Sequence, residues 1–192
     1  MTRIYMDATT LIALGTIGEL ALLESFDGTP VVLPSIRDEV TTEPAETNLE
    51  RLCERDSIGT TVPDLELDDE RAKDVLGEPD MNGDVRSIAA VLAHLEADDR
   101  VAIVSDDRRL RTVADGLGAT VTGTIGVIVS AVEAGLSEDD AKTVVRRVDE
   151  HGLHRRYEAD ATGLDPVEEA ATPFDKSRSM ARPTPCLHVN LY

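Results

Sequence analysis

Residues 101–122, VAIVSDDRRLRTVADGLGATVT, have the pattern of a strand, a helix and a second strand. VAIVS is a short apolar run of the kind found in buried strands, and RRLRTVADGLG is a helical segment closed by glycine before the strand ATVT. Strands that alternate with helices indicate a parallel sheet with helices on both of its faces. This stretch therefore predicts an α/β fold.

The same alternation continues towards the N-terminus and supplies the other strands. RIYM (3–6) is a strand that ends at Asp7, and PVVLP (30–34) is a buried strand bounded by prolines. SIGTTVP (57–63) is a candidate fifth strand at the edge of the sheet. With 41% hydrophobic but only 3% aromatic residues, the core must be aliphatic. The prediction is a three-layer α/β/α domain with a central parallel sheet of four to five strands.

Helical patterns fill the segments between the strands. The most regular apolar stripe is in DVRSIAAVLAHLEA (84–97). TLIALGTIGELALLESF (10–26) predicts two short helices broken between Gly15 and Gly18. Pro34 suits the first position of a helix through SIRDEV. The remaining predicted helices are AETNLERLCE (45–54), LDDERAKDVL (67–76), GTIGVIVSAVEAGL (123–136) and SEDDAKTVVRRVDEHG (137–152).

The composition of the 192-residue chain changes near residue 150. All the clearly periodic segments lie in residues 1–150, which we predict to form one domain. Residues 151–192 have little periodicity and are interrupted by Pro166, Pro173, Pro183 and Pro185. We expect them to form a poorly ordered C-terminal tail that is dispensable for activity.

The charge of the chain is strongly negative, because 38 acidic residues stand against 19 basic ones, for a net charge of −19. Such a charge strains a compact fold by self-repulsion, and molar salt, with a Debye length of about 3 Å, would screen it. Together with few lysines and few aromatics, this resembles the halophilic composition of proteins from salt-accumulating haloarchaea. The inference concerns the solvent and not the activity.

The sequence contains no pattern for membrane insertion or for a structural metal. No apolar run approaches the roughly 18 residues of a membrane span, and MTRIYMD has no basic region followed by a long apolar stretch. Cys53 and Cys186 are far apart and form no Cys-x-x-Cys pair, which argues against a zinc site. We therefore expect a cytoplasmic protein without a membrane partner.

Acidic residues follow the predicted strands. Asp7 comes directly after the first strand, and Asp106 and Asp107 come after VAIVS. Glu39 lies in the helix after the second strand, and Asp84 opens the helix that precedes VAIVS. The working site of a parallel α/β sheet lies beyond the carboxyl ends of its strands, so the topology can bring these acids to one rim.

Converging carboxylates repel one another and raise each other's pKa unless a cation lies among them. Mg²⁺ and Mn²⁺ take oxygen ligands, and such ions orient water and stabilise the oxyanion that leaves a phosphodiester. The alternative is ordinary structure, because an aspartate at a strand end or a helix N-cap is common and this chain has many acids. Spacing alone leaves the metal site and the capping roles open.

Four blocks, taken in order, resemble the PIN-domain family. YMDATTLIALGTIGELALL (5–23) resembles the family's opening strand, aspartate and Leu/Ile-rich helix. VVLPSIRDEV (31–40) resembles the second block, a strand and a proline followed by a helix that bears a glutamate. NGDVRSIAAVLAHL (82–95) is similar to the third block, a glycine-acid pair that opens an Ala-rich helix. The fourth block, VAIVSDDRRLRTVADGLGATVTGTIGVIVSAVEAGL (101–136), runs from a strand into Ser/Thr-x-Asp. Within the family the chain looks closest to VapC-type toxins and related stand-alone PIN proteins.

The resemblance implies a ribonuclease that depends on Mg²⁺ or Mn²⁺ and hydrolyses RNA phosphodiester bonds. Its acidic site corresponds to Asp7, Glu39, Asp84 and Asp107, with Asp106 as the competing choice for the fourth position. Ser105 takes the place of the family's small hydroxyl residue and is expected to support a carboxylate or a metal-bound water. The third block has Asp84 where relatives can carry Glu.

Basic residues near this site are candidates for binding RNA phosphates, a role that suits the planar guanidinium fork. Salt bridges to the many carboxylates are the alternative for each of them. These candidates are Arg86, Arg108, Arg109 and Arg111.

Two functions remain open. The first is a divalent-metal-dependent endoribonuclease, the toxin of a toxin–antitoxin pair, with RNA as substrate and with an antitoxin protein and a homodimer as candidate partners. The second is a non-catalytic PIN-like module that binds RNA or protein. The presence of all four acids favours the enzyme, whereas a phospho-receiver domain is disfavoured because ATVTGT (119–124) supplies no lysine.

Overall fold

A parallel sheet lies at the centre of the computed structural model, which describes residues 1–61 and 68–151. Within these residues the sheet has four strands, β1 (Arg3–Met6), β2 (Thr29–Val31), β3 (Val101–Val104) and β4 (Thr120–Thr122). Their order in the sheet is β2-β1-β3-β4. Tyr5 on β1 is in register with Val31 on β2 and with Ile103 on β3, and Ile103 is in register with Val121 on β4.

Helices connect and flank the strands, which confirms the predicted α/β fold with its parallel sheet. The break predicted between Gly15 and Gly18 separates the first helix from a short 3₁₀-helix, Leu20–Ser25, and Pro34 is the first residue of the next helix. The α-helices are α1 (Ala8–Thr16), α2 (Pro34–Glu39), α3 (Ala45–Cys53), α4 (Asp69–Leu76), α5 (Gly83–Glu96), α6 (Arg108–Leu117), α7 (Thr124–Glu133) and α8 (Glu138–Glu150).

The candidate fifth strand is only a bridge in the part of the chain that the structure describes. Val31 pairs in parallel with Gly59, whose backbone N–H donates to the Pro30 carbonyl at 2.8 Å. The Val32 N–H in turn donates to the Gly59 carbonyl at 2.8 Å. The pairing does not extend into a strand, and residues 62–63 of the predicted segment lie outside the described residues.

The core between sheet and helices is aliphatic, as the composition requires. β3 is buried along its whole length, and α5 buries Val85, Ile88 and Val91. A buried polar contact joins β1 to α5. Burial raises the pKa of Tyr5 to about 12, and its protonated hydroxyl bonds His94 Nε2 at 2.8 Å. This bond links the strand that precedes Asp7 to the helix that carries Asp84.

None of the described helices is long and apolar enough to span a lipid bilayer. The predicted C-terminal tail lies outside the described residues from residue 152 onwards. That it is poorly ordered and that it is dispensable for activity therefore stay predictions.

Candidate active site

Asp7 lies where the two central strands end. It follows β1 directly, and its backbone N–H donates to the Val104 carbonyl, the last of β3, at 3.0 Å. Asp7 is also the N-cap residue of α1, yet its side chain bonds no backbone N–H of that helix. Only 3% of it is exposed. A carboxylate buried this deeply needs partners, because desolvation of an unpaired charge is costly.

Two hydroxyl groups supply those partners, and both donate to the same oxygen. Ser105 Oγ lies 2.7 Å from Asp7 Oδ2, and Thr9 Oγ1 donates to the same atom. Each hydroxyl also accepts a backbone N–H of the loop after β3: Ser105 Oγ from Asp107 at 2.9 Å, and Thr9 Oγ1 from Asp106 at 3.2 Å. The loop thereby orients both hydroxyls towards Asp7.

Thr9 is a contact that the sequence analysis missed. The available signal was a hydroxyl two residues after Asp7, at the start of the helix, where a short side chain can turn back towards the preceding loop.

The two acids of the Asp106–Asp107 doublet point to different neighbours. Asp106 holds the start of α7, because Oδ1 accepts from the Thr124 N–H at 2.8 Å and Oδ2 from Thr124 Oγ1 at 2.5 Å. A Cβ on Gly123 would stand 2.5 Å from Asp106 Oδ1, so a larger residue here would push the Asp106 carboxylate away from Thr124. Asp107 caps α6 through Oδ1, which accepts from the Leu110 N–H at 2.9 Å.

Glu39 and Asp84 are brought together by a close approach of α2 to α5. Glu39 is the last residue of α2, and its Oε1 accepts the Gly83 N–H at 2.8 Å. A Cβ at Gly83 would stand 2.3 Å from Ile36 Cδ1 and 2.5 Å from Glu39 Oε1, so a larger residue here would displace the end of the Glu39 side chain. Asn82 caps α5 by accepting the Val85 N–H at 2.8 Å, which places Asp84 in the first turn.

Three of the predicted acids are close enough to a fourth, Asp84, to interact with it electrostatically. The pKa of Asp84 is raised to about 7, first by burial and then by the charges of Asp7, Asp107 and Glu39, while Arg109 acts in the opposite direction. The cluster therefore consists of Asp7, Glu39, Asp84 and Asp107, and we refer to these four residues as the acidic cluster. Asp106 is not among the charges that act on Asp84.

Asp84→Asn is expected to raise the melting temperature at pH 8 by at least about 2 °C. The folded-state pKa of Asp84 is about 7 against an unfolded value of 3.8, so the folded protein binds more protons between these values and loses stability as pH rises through them. The gain should shrink towards pH 5, where the wild-type carboxyl is protonated. Melting curves of both proteins from pH 5 to 8 check this, and a pH-independent difference would contradict it.

The acidic cluster has the chemistry of a hard-cation site. All its donors are carboxylate oxygens, the ligands of Mg²⁺ and Mn²⁺, and a bound cation would offset the repulsion that raises the Asp84 pKa. Within residues 1–61 and 68–151, no group of three or more His, Cys, Asp or Glu side chains is already arranged to hold a metal ion. The fit to a metal therefore rests on the donor set and its charge.

The predicted RNA-binding arginines differ in their surroundings. Arg86 Nη1 lies 2.8 Å from both carboxylate oxygens of Asp69, and Arg86 is two positions after Asp84, so the two side chains do not share a helix face. Arg109 donates hydrogen bonds to Glu78 and to the Leu76 carbonyl, and its positive charge lowers the pKa of Asp84. Arg108 is exposed, and the buried Nε of Arg111 has no hydrogen-bond partner among the residues that the structure describes.

A cavity of about 450 Å³ opens beside the acidic cluster, at the start of α6. Its walls carry charges of both signs, because one acid of the cluster and two of the predicted RNA-binding arginines line it. Its lining consists of Asp107, Arg108, Arg109, Thr112 and Val113.

A parallel α/β domain with carboxylates beyond its strand ends belongs to the class of folds that place their site at the carboxyl edge of the sheet. A family model described as a PIN domain matches residues 3–162. The chain therefore belongs to the PIN-domain family, whose members are generally nucleases that typically use divalent metals. A search of the curated proteins found no match.

Proposed function

We propose that this protein is an endoribonuclease that hydrolyses RNA phosphodiester bonds with Mg²⁺ or Mn²⁺. The observation that carries the proposal is the acidic cluster, in which three carboxylates from three separate elements act on Asp84. Structural capping explains single acids, but it does not explain why four of them converge on a partly buried position. Membership of a nuclease family supports the same function.

In this proposal the protein residues bind and orient. Asp7, Glu39, Asp84 and Asp107 would hold the cation, which would supply activation of a water and stabilisation of the leaving oxyanion. Thr9 and Ser105 fix Asp7 through Oδ2, so Oδ1 would be its oxygen for the cation. Asp107 uses Oδ1 to cap α6, so its Oδ2 is the oxygen for the cation.

The doublet offers a matched pair of variants for the test. Asp107→Asn should reduce cleavage of a fluorescent single-stranded RNA in Mg²⁺ by at least about 100-fold, because it removes a charge that the cation requires. Asp106→Asn removes the same charge one residue away and should keep cleavage within about tenfold, with a lower melting temperature from the weakened α7 cap. Addition of EDTA should stop the wild-type reaction.

Loss of activity in Asp106→Asn but not in Asp107→Asn would mean that Asp106, and not Asp107, is the acid that the cation requires. Full cleavage in EDTA would refute the metal-dependent mechanism.

We further propose that the enzyme is a cytoplasmic toxin, on the strength of its similarity to VapC-type toxins. An antitoxin protein and a second copy of the chain are the partners this implies. A small upstream reading frame for a DNA-binding protein, and growth arrest on expression that its co-expression relieves, would support this role. Expression without any effect on growth would contradict it.

A binding module without catalysis is the second candidate. The observation in its favour is that no metal-holding group is already formed in the described residues. RNA binding by the wild type with no cleavage in Mg²⁺ or in Mn²⁺ would select it.

A further inference from the structure

Arg109 lies between the acidic cluster and the loop that follows α4. Its Nη1 donates to Glu78 Oε1 and its Nη2 to the Leu76 carbonyl at the end of α4. The same side chain interacts electrostatically with Asp84 and Asp107 of the cluster. Arg109 is thus a cation at the edge of the proposed active site whose hydrogen bonds are directed at a neighbouring loop.

The partner of Arg109 is an anion with the same charge as a backbone phosphate of RNA. A carboxylate and a phosphate both present oxygens to the guanidinium fork, so they compete for the same donors. The Arg109 side chain is 53% exposed and that of Glu78 26%, and Arg109 also lines the cavity beside Asp107. Ion pairs this exposed contribute little stability, so exchange of one anion for another is easy.

We propose that Arg109 binds a backbone phosphate of the RNA strand next to the scissile bond, and that Glu78 competes with this phosphate for Arg109. Glu78 therefore lowers the affinity for RNA without taking part in the chemical step. The inference rests on the proposed function, since it names a residue that sets substrate affinity at the same site.

A second ion pair in the structure provides a matched control. Arg71 donates to Glu96 in an exposed Arg–Glu pair between α4 and α5. Neither residue is among the charges that act on Asp84 or lines the cavity at α6. Glu96→Gln and Glu78→Gln remove the same charge and the same kind of contact, but only Glu78 is joined to Arg109.

The test measures KM and kcat for cleavage of a short single-stranded RNA by the full chain, at the lowest KCl concentration at which melting curves show each variant folded. Glu78→Gln should lower KM about threefold or more and keep kcat within about twofold, whereas Glu96→Gln should leave KM unchanged. Arg109→Ala should raise KM, and Glu78→Gln should have no effect on KM in the Arg109→Ala background.

The salt dependence supplies a second readout that a merely structural role would not change. One additional phosphate contact should steepen the slope of log affinity against log salt by about 0.7 in Glu78→Gln relative to Arg109→Ala. An equal KM for Glu78→Gln and Glu96→Gln, or a KM that falls in Glu78→Gln even without Arg109, would overturn the inference.

The experiment also distinguishes failure of the Arg109 inference from failure of the proposed nuclease function. If the wild type cleaves no RNA, fluorescence polarisation of the same RNA replaces KM in this comparison. Tighter binding by Glu78→Gln would then support the Arg109 site in a protein that is not a nuclease, and equal or undetectable binding by all variants would overturn it.

Discussion

Asp7→Asn is expected to reduce metal-dependent RNA cleavage by about 10³-fold, which corresponds to about 4 kcal/mol of transition-state stabilisation. Asp7 is the most buried acid of the cluster, and asparagine keeps its shape while removing its charge. The fold should persist, because Ser105 and Thr9 can still bond the side-chain amide and one repulsive charge on Asp84 is lost. Single-turnover cleavage and a melting curve of the same preparation measure the two effects.

Asp38→Asn is the control for this variant. Asp38 precedes Glu39 on α2 and is exposed, so its substitution changes the net charge equally without altering the acidic cluster. It should cleave RNA within about twofold of the wild type. Wild-type cleavage by a verified Asp7→Asn protein would remove Asp7 from the site.

The second large effect concerns salt. We expect the melting temperature to fall by about 10 °C or more when KCl is lowered from 2 M to 0.1 M, because the Debye length grows from about 2–3 Å to about 10 Å. At the longer distance the net charge of −19 acts as uncompensated repulsion in the folded state. A flat or rising melting temperature in low salt would contradict the halophilic interpretation.

Screening can be separated from a general salt effect. The rise in melting temperature that screening produces should be largest below about 1 M KCl, since the Debye length changes most there. A gain that continues linearly above 1 M would indicate exclusion of salt from the protein surface instead.

The elements of the fold were predictable because strong local signals agreed. The apolar run VAIVS and the amphipathic helix after it fixed the parallel crossover, and Pro34 marked the start of α2. The segment around Gly59 was harder, because a short run at a sheet edge has too little pattern to distinguish a strand from a single bridge.

For the candidate site, the sequence predicts residue types beyond the strand ends but not the contacts that these residues make. Asp106 and Asp107 are equivalent in sequence, and only the turn after β3 directs one to Thr124 and the other to the start of α6. The pairing of Arg109 with Glu78 likewise depends on how α4 packs beside α6, which no local pattern encodes. The hydrogen bond from Thr9 to Asp7 likewise depends on the turn into α1 and was not predicted from the sequence.

If the acidic cluster holds a divalent cation, it should bind Mn²⁺, and electron paramagnetic resonance of the free ion measures this binding. The titration is run in 1 M KCl, which screens diffuse binding to the acidic surface. We predict a saturable tight phase in the wild type and in Asp38→Asn that is absent from Asp84→Asn. Identical Mn²⁺ isotherms for the wild type and Asp84→Asn would contradict the account.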